Sequence, residues 1–376
     1  MSHNPTASIL EHFAEVEDPR VEYLVEHRLI DIITIALCAV IAGADNWTEV
    51  AQFGQEKQDW LAQFLVLPHG IPSHDTFGRV FAQLDPEQFQ SSFLNWVQAV
   101  FEVTSGQVVP IDGKKLRRSH DRANDQQAIW MVSAWAAENK LVLGQVKVDE
   151  KSNEITAIPE LLRLLELTGC IVTIDAMGCQ KEIAAQIVAK GADYVLALKG
   201  NHSGVLEDVQ ALFVYAAETN YADCDYHQTV DKGHGRLEIR ECWTTSEPDY
   251  FPFVRNASAW TKLRSLAMVR AERRQADKVS VEIRYYLSSL ESKADKILHA
   301  IRTHWTIENQ LHWVLDVAFD EDQCRVRKDH AAQNFAILRH CALNLLKQET
   351  SAKCGIQAKR KKAGWSNDYL LKVLAI

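Results

Sequence analysis

QVVPIDGKKLR at residues 107–117 and CIVTIDAMG at residues 170–178 share one plan, in which a short apolar run ends at an aspartate. Runs of this length that are rich in Val and Ile are typical of buried β-strands. We therefore predict one strand that ends at Asp112 and another that ends at Asp175. An acid at the end of a strand often only caps the following turn, so this pattern alone leaves the role of each aspartate open.

The chain around these two segments alternates between strand and helix patterns. Strands are predicted at 128–136, 141–148 and 194–198, and helices at 155–167 and 181–190. The order strand–strand–strand–helix–strand–helix–strand is that of an RNase H-like α/β core, in which helices connect parallel neighbours. In such a sheet the strands of Asp112 and Asp175 are adjacent.

The rest of the chain divides around this core. We predict an all-helical N-terminal domain at 1–105, the first part of the core at 106–200, a β-rich insertion at 201–294, the second part of the core at 295–350 and a basic tail at 351–376. The insertion is predicted because residues 236–244, 265–272 and 279–287 alternate between polar and apolar side chains. The fold class is therefore α/β with a helical domain in front.

The composition is that of an ordinary globular protein, with 47% hydrophobic and 24% charged residues among 376. The longest apolar stretch, at 29–43, contains Asp31 and is shorter than the ~18–20 residues of a membrane-spanning helix, so it predicts a buried core helix. The N-terminus has no signal-peptide pattern and the eight cysteines have no C-x-x-C spacing. We therefore expect a cytoplasmic protein with reduced thiols.

Charge is distributed unevenly along the chain. The formal net charge is −9, whereas residues 323–376 contain eleven Lys and Arg against three Asp and Glu. The overall charge disfavours a polyanionic partner, but binding depends on the local basic surface rather than on the sum. A nucleic-acid partner is therefore compatible with this sequence.

Three acids are candidates for a divalent-metal site. Asp112 and Asp175 would meet at one edge of the sheet, and Glu308 lies in HWTIENQLHWVLDVAF at 304–319, a predicted helix after the insertion. Carboxylates that converge can hold Mg²⁺ or Mn²⁺ while leaving coordination positions for water and phosphate oxygens. This arrangement is typical of phosphodiester chemistry.

The helix that carries Glu308 also has a simpler interpretation. His304, Glu308, His312 and Asp316 recur every four residues and share one face, and spacing alone favours a polar solvated face. Trp305 and Trp313 could stack on an unpaired base, but core packing is the favoured interpretation for both.

Basic residues follow both acidic segments. Candidate DNA contacts are Lys114, Lys115, Arg117, Arg118, Arg122, Arg325, Arg327 and Lys328. Cations beside a metal site suit a polyanionic backbone and would make binding salt-dependent. An ordinary solvated loop is an equal alternative.

Long blocks of the chain carry a family resemblance. They are ALCAVIAGADNW at 36–47, GIPSHDTFGRVF at 70–81, IDGKKLR at 111–117, VDEKSNEITAIPELL at 148–162, VTIDAMGCQ at 172–180, ADYVLALKGNH at 192–202 and HWTIENQLHWVLDVAFDED at 304–322. With these blocks the chain resembles the H-repeat-associated DDE transposases of bacterial insertion sequences, from about residue 10 to 347.

The resemblance implies a metal triad of Asp112, Asp175 and Glu308 with two Mg²⁺ or Mn²⁺ ions. A wider group of similar transposases has a β-rich insertion between the second Asp and the Glu, and here these residues are 133 positions apart. The implied partners are double-stranded DNA, as terminal repeats and as target, and a second copy of the chain on DNA. The helical N-terminal domain would recognise DNA ends or dimerise, and DNA-bound protein would associate with the nucleoid.

The sequence departs from the wider group at two positions near Glu308. That group often has an Arg four residues before the Glu and a Lys seven residues after it, where this chain has His304 and Leu315. We expect His304 to contact phosphate and Arg325 or Arg327 to replace the Lys.

The implied reaction is metal-dependent hydrolysis that frees a 3′-hydroxyl at the element end, followed by attack of that hydroxyl on target DNA. One alternative is a DNA-binding remnant without catalytic activity, because insertion-sequence proteins often decay. A less favoured alternative is a zinc hydrolase that uses His304, Glu308 and His312. That alternative leaves Asp112 and Asp175 unexplained.

Overall fold

A computed structural model describes residues 11–100, 105–120, 127–148, 154–233, 235–276 and 278–374. Its N-terminal part is helical, with α1 (Leu29–Ile41), α2 (Trp47–Glu56), α3 (Gln58–Leu61), α4 (His74–Gln83) and α5 (Pro86–Val100). Asn46 and Ser73 cap α2 and α4, since their side chains accept hydrogen bonds from backbone N–H groups three residues ahead.

The apolar stretch at 29–43 forms a buried helix, as predicted. In α1 all residues except Ile30 are buried, including Asp31. The carboxylate of Asp31 lies 4.0 Å from the guanidinium of Arg28. In the part of the chain that the structure describes, no helix has the length and apolar character to cross a bilayer. All eight cysteines are free thiols.

The α/β core has the predicted order of elements. It contains β1 (Val108–Lys115), β2 (Trp130–Ala136), β3 (Leu141–Val148), α6 (Glu154–Leu164), β4 (Ile171–Ile174), α7 (Lys181–Ala189) and β5 (Asp193–Leu198). The strands lie in the order β3-β2-β1-β4-β5. β1 pairs antiparallel with β2 and parallel with β4, and β4 pairs parallel with β5. This is an RNase H-like sheet.

The insertion continues the core sheet. After α8 (Ser203–Glu218) come β6 (Asp225–Gly233), β7 (Arg236–Thr245), β8 (Ser265–Gln275) and β9 (Lys278–Ser288). β9 pairs antiparallel with β5, so the full order is β3-β2-β1-β4-β5-β9-β8-β7-β6. The pairing satisfies backbone groups of β5 that would otherwise form an open sheet edge.

Helices return after the insertion. They are α9 (Ala294–His304), α10 (Trp313–Phe319), α11 (Ala331–Gln348), α12 (Ile356–Trp365) and α13 (Asn367–Leu374), with a π-helical turn at Glu308–His312 between α9 and α10. Most of α11 is buried, and it packs against α1, α4, α5 and β3. This helix joins the N-terminal helices to the core sheet.

The segment that the sequence presents as a basic tail is folded in the described residues up to 374. Lys359 and Arg360 in α12 are buried. The Arg360 guanidinium donates hydrogen bonds to the carbonyls of Val40 and Ala44 and pairs with Asp45 at 2.9 Å. These carbonyls lie at the end of α1, where helical C=O groups lack partners within the helix. Lys359 and Arg360 therefore serve packing, whereas Lys353, Lys361, Lys362 and Lys372 are exposed.

Candidate active site

Asp112 and Asp175 lie side by side where the parallel pairing of β1 and β4 ends. The last paired residues are Ile111 and Ile174; Asp112 is the next residue of β1, and Asp175 directly follows the end of β4. β1 does not stop at Asp112, as the sequence suggested, because its antiparallel pairing with β2 continues to Lys115. Asp175 also caps the next turn, since its Oδ1 accepts a hydrogen bond from the backbone N–H of Met177 at 3.0 Å.

The carboxyl of Asp112 lies in a strongly negative environment. Its pKa is raised to about 7, first by burial and then by the charges of Glu154, Asp175 and Glu308, while a hydrogen bond from the backbone N–H of Gly113 acts in the opposite direction. Four acids therefore lie near one another: Asp112 in β1, Glu154 at the start of α6, Asp175 just after β4, and Glu308 in the π-helical turn.

Glu154 is the member of this group that sequence reasoning missed. It begins α6 and is half-buried. A Cβ atom on Gly113 would collide with its carboxylate. Burial and the charge of Asp175 raise its pKa. A glutamate at the start of a helix normally indicates an interaction with the helix N-terminus, so the sequence contained no signal that set it apart.

Glu308 occupies the first position of the π-helical turn and is exposed. π-Helical turns are rare and occur frequently at functional sites. Among the described residues, no three His, Cys, Asp or Glu side chains are already close enough to hold a metal ion together. Closing the four acids onto one ion would therefore require their side chains to move.

The side of the helix that was predicted to be solvated lies instead against the edge of the sheet. Three of its four residues, His304, His312 and Asp316, contact β4 or β1. His304 Nδ1 lies 3.0 Å from Thr173 Oγ1 in β4, and His312 Nδ1 lies 3.6 Å from Asp112 Oδ2 in β1. Burial lowers the pKa of His304 to about 4 and that of His312 to about 3, so both are neutral at pH 7. A neutral His304 has no charge to offer a phosphate.

The same geometry gives no support to a zinc site of His304, Glu308 and His312. The two imidazoles face different strands, while Glu308 is exposed. Leu315, where similar transposases often have a Lys, is buried in the core.

Lys114 was predicted to contact DNA, but its ammonium group binds two carboxylates within the protein. Its Nζ donates to Asp316 Oδ1 at 2.5 Å and to Glu321 Oε2 at 2.6 Å. Burial alone would lower its pKa, but these two carboxylates raise it overall. Glu321 is buried, and its other oxygen lies 3.8 Å from Arg339. Lys114 therefore holds β1 against α10 and the segment that follows it. These two carboxylates occupy the charge that was predicted to contact DNA.

The remaining basic candidates differ in exposure. Lys115, Arg117, Arg118, Arg325 and Lys328 are exposed, whereas Arg327 is half-buried and donates to the carbonyl of His120 at 3.3 Å. Arg117 also pairs with Asp322 at 3.2 Å. Arg122 lies outside the described residues.

A groove of about 1280 Å³ lies between the N-terminal helices and the segment after α10. Its basic lining residues are His74, Arg79, Arg325, Arg327 and Lys328. Acidic residues, including Glu49 and Asp75, line it as well, so its charge is mixed.

Trp305 and Trp313 are not core residues, and the favoured interpretation of both was wrong. They are 39% and 60% exposed, respectively. The guanidinium of Arg284 lies 4.9 Å from the ring centroid of Trp305. Trp313 is therefore available at the surface, whereas Arg284 covers one face of the Trp305 ring.

The acidic group suits divalent cations. Carboxylate oxygens are the hard ligands that Mg²⁺ and Mn²⁺ prefer. Asp112, Glu154, Asp175 and Glu308 form no ion pair with a described Lys or Arg, and a cation would offset the repulsion that raises the pKa of Asp112. The bare backbone at Gly113 leaves space for the Glu154 carboxylate beside Asp112.

Comparison with known proteins identifies the family to which this chain belongs. Residues 103–345 match the family model of the transposase DDE domain, which spans all four acids. The chain belongs to the DDE transposase family. Residues 10–97 match the family model described as DDE_Tnp_1-associated.

Several relatives extend over almost the whole chain. The candidate transposase YncI of Escherichia coli O157:H7 is 42% identical over 98% of this chain and 94% of its own length. The H repeat-associated candidate transposase YhhI of Escherichia coli (strain K12) is 40% identical over 98% of this chain and 97% of its own length. The family resemblance inferred from the sequence blocks is confirmed.

Two further matches have a narrower meaning. The inactive transposase YbfQ of Escherichia coli (strain K12) is 40% identical over 20% of this chain. The solved synaptic complex of piggyBac transposase with hairpin DNA aligns with a TM-score of 0.43 and 11% identity over 98% of this chain and 77% of that chain. A likeness at this level carries no argument about the present site.

Proposed function

We propose that this chain is an active transposase that cuts DNA at the ends of an insertion sequence and joins the ends to target DNA. The observation that carries the proposal is the convergence of acids at one sheet edge, where Asp112 and Asp175 directly follow the paired Ile111 and Ile174, and where Glu154 and Glu308 lie close enough to repel Asp112. Asp112, Asp175 and Glu308 are the proposed metal ligands. Two Mg²⁺ or Mn²⁺ ions bound there would activate the attacking oxygen and stabilise the leaving oxygen.

The protein's own residues would keep the proposed metal ligands close to one another. Asp112 and Asp175 are fixed by the pairing of Ile111 with Ile174. Lys114 ties the same strand to Asp316, eight residues after Glu308. Because that bond connects β1 with the helix that follows the π-helical turn, it would limit how far Glu308 can move from Asp112.

Double-stranded DNA is the proposed partner, as terminal repeats and as target. The exposed Lys115, Arg117 and Arg118 follow Asp112 directly and could contact backbone phosphates. Arg325, Arg327 and Lys328 could do so from the groove against the N-terminal helices. We propose that these helices help to recognise element ends or to pair two copies on DNA, because insertion requires both ends.

A DNA-binding remnant without activity is the second candidate. The observation in its favour is that one relative, YbfQ, is named an inactive transposase. That relative matches only 75 residues of this chain, whereas the four acids here lie within a match to residues 103–345.

The deciding experiment is cleavage of a duplex that carries the terminal repeat flanking a genomic copy, in Mg²⁺ and in Mn²⁺. The proteins compared are wild type, Asp112→Asn, Asp175→Asn and Glu308→Gln, each checked for folding and for binding to the same duplex. Glu160→Gln is the matched control, because Glu160 is an exposed acid on α6.

We expect wild type and the control to cut, and the three site variants to bind without cutting. Binding by wild type without cutting in either metal would favour the remnant. Cutting by any site variant would remove that residue from the proposed triad.

A further inference from the structure

We propose that Glu154 is a fourth carboxylate ligand of the metal site, acting with Asp112, Asp175 and Glu308. This inference rests on the proposed function, because it concerns the same cations. It assigns a role to the first residue of α6, which lies 42 positions after Asp112 in the sequence and joins it only in the folded chain.

The glycine that follows Asp112 lies against the carboxylate of Glu154. Gly113 has regular strand geometry, pairs with Val132 of β2 and does not have a positive φ angle. Conformational freedom therefore does not explain a glycine inside this strand, where it weakens the sheet. A Cβ atom on Gly113 would overlap the carboxylate of Glu154, so with the Glu154 side chain as it lies the carboxylate occupies the space beside Asp112 that a side chain at 113 would fill. Residue 113 therefore has no side chain at the point where the Glu154 carboxylate lies against the strand.

The charges around Glu154 also favour a bound cation. Among the ion pairs between described residues, none joins a Lys or Arg to Glu154, Asp175 or Glu308, and Asp112 faces only the imidazole of His312 at 3.6 Å. Glu154 repels both Asp112 and Asp175. A half-buried acid placed against two other acids is unfavourable in the protein alone, and a shared divalent cation would reverse that balance.

A purely structural role is the competing explanation. An acid in the first turn of a helix stabilises it through the positive end of the helix dipole. The two explanations predict opposite signs for the metal-free protein. Replacing Glu154 by Gln would lower the melting temperature if the acid only supports α6, and would raise it if repulsion within the acidic group dominates.

The test is Mn²⁺ binding to the full-length protein without DNA, measured by titration calorimetry, together with thermal unfolding in EDTA. The variants are Glu154→Gln, Glu154→Asp and Asp112→Asn, with Glu160→Gln as the control on the same helix. We expect Glu154→Gln and Asp112→Asn each to weaken Mn²⁺ binding by about tenfold or more. Glu154→Asp should retain binding better than Glu154→Gln, and the control should match wild type.

The outcomes separate this inference from the proposed function. If Glu154→Gln binds Mn²⁺ as wild type does while Asp112→Asn does not, the fourth ligand is refuted and the triad stands. If Asp112→Asn also binds as wild type does, the proposed metal site itself is refuted. Weaker Mn²⁺ binding by Glu154→Gln with a higher melting temperature in EDTA supports the fourth ligand, whereas a lower melting temperature with unchanged Mn²⁺ binding supports the structural role.

Discussion

Acids in the insertion and acids at the β1–β4 edge belong to the same sheet but have opposite surroundings. In the insertion, Glu272 accepts hydrogen bonds from Arg270 at 2.7 Å and Arg274 at 2.6 Å, and these bonds lower its pKa. At the β1–β4 edge, burial and other carboxylates raise the pKa of Asp112 to about 7.

The contrast separates acids that already have cationic partners from acids that have none among the described residues. A carboxylate that already has guanidinium partners gains little from a metal ion, whereas a group of unpaired carboxylates is stabilised by one. Acid content alone does not distinguish the two regions, because the insertion has abundant acids. The absence of cationic partners among the described residues is the feature that marks the edge.

The largest expected effect compares one acid from each region. Asp112→Asn should reduce single-turnover cleavage of terminal-repeat DNA by roughly 10³-fold or more, because it removes a proposed metal ligand that would act in the transition state. Glu272→Gln should change the same rate less than about tenfold, since its charge serves only the local Arg pairs. A comparable loss in both variants would contradict the distinction between the regions.

A second comparison concerns two neighbouring lysines in β1. Lys114→Met should lower the free energy of unfolding by about 3–5 kcal/mol, because it leaves Glu321 buried without its closest cation. Lys115→Met should change it by no more than about 0.5 kcal/mol, because Lys115 is exposed. Urea denaturation measures both values, and equal effects would show that the contact of Lys114 with the two acids is not a stabilising one.

His340, a buried residue of α11 near Glu321, should make the free energy of unfolding depend on pH. Burial lowers the pKa of His340 to about 4. The unfolded chain takes up a proton on this residue below about pH 6.5, whereas the folded chain does so only near pH 4, so the free energy of unfolding falls as the pH is lowered through that range.

The size of this contribution is roughly 3 kcal/mol at its maximum. Urea denaturation at several pH values would measure it, with His340→Gln as the variant that cannot titrate. The pH dependence of the variant should be shallower than that of wild type between pH 6.5 and 4. Identical slopes would remove His340 from the explanation.

The smallest expected effect concerns the exposed aromatic residues beside Glu308. Trp313→Ala should weaken binding of an unpaired DNA end by about 1–3 kcal/mol if a base stacks on the ring. Trp365→Ala is the control, because Trp365 is 80% exposed in α12. Fluorescence anisotropy with a frayed duplex measures both affinities, and equal binding by the two variants would leave Trp313 without a DNA role.

The sequence alone predicted the strands of the core and the closeness of two of the four acids. Short apolar runs that end at Asp112 and Asp175 predicted their adjacency, since parallel strands bring such residues to one edge. Alternation in 236–287 predicted strands, but it could not show that β9 pairs with β5, because periodicity carries no information about the partner strand.

The remaining differences arise from contacts between distant parts of the chain. Lys114 and Arg360 looked like surface charges, yet Glu321 and the carbonyls at the end of α1 bind them in the interior. In the sequence Glu154 is an ordinary acid at the start of a helix, and only the folded chain brings its carboxylate against Gly113. Spacing along a helix predicted a shared face for His304 and His312, but not the strands that this face would meet.

The most direct measurement replaces the divalent cation by Fe²⁺ and maps where hydroxyl radicals cut the protein backbone. If the unpaired acids bind the cation, scission should occur beside Asp112, Glu154, Asp175 and Glu308, and an excess of Mn²⁺ should suppress it. Scission within β7 to β9, or beside the groove at Glu49 and Asp75, with none at the four acids, would contradict the assignment of the metal site.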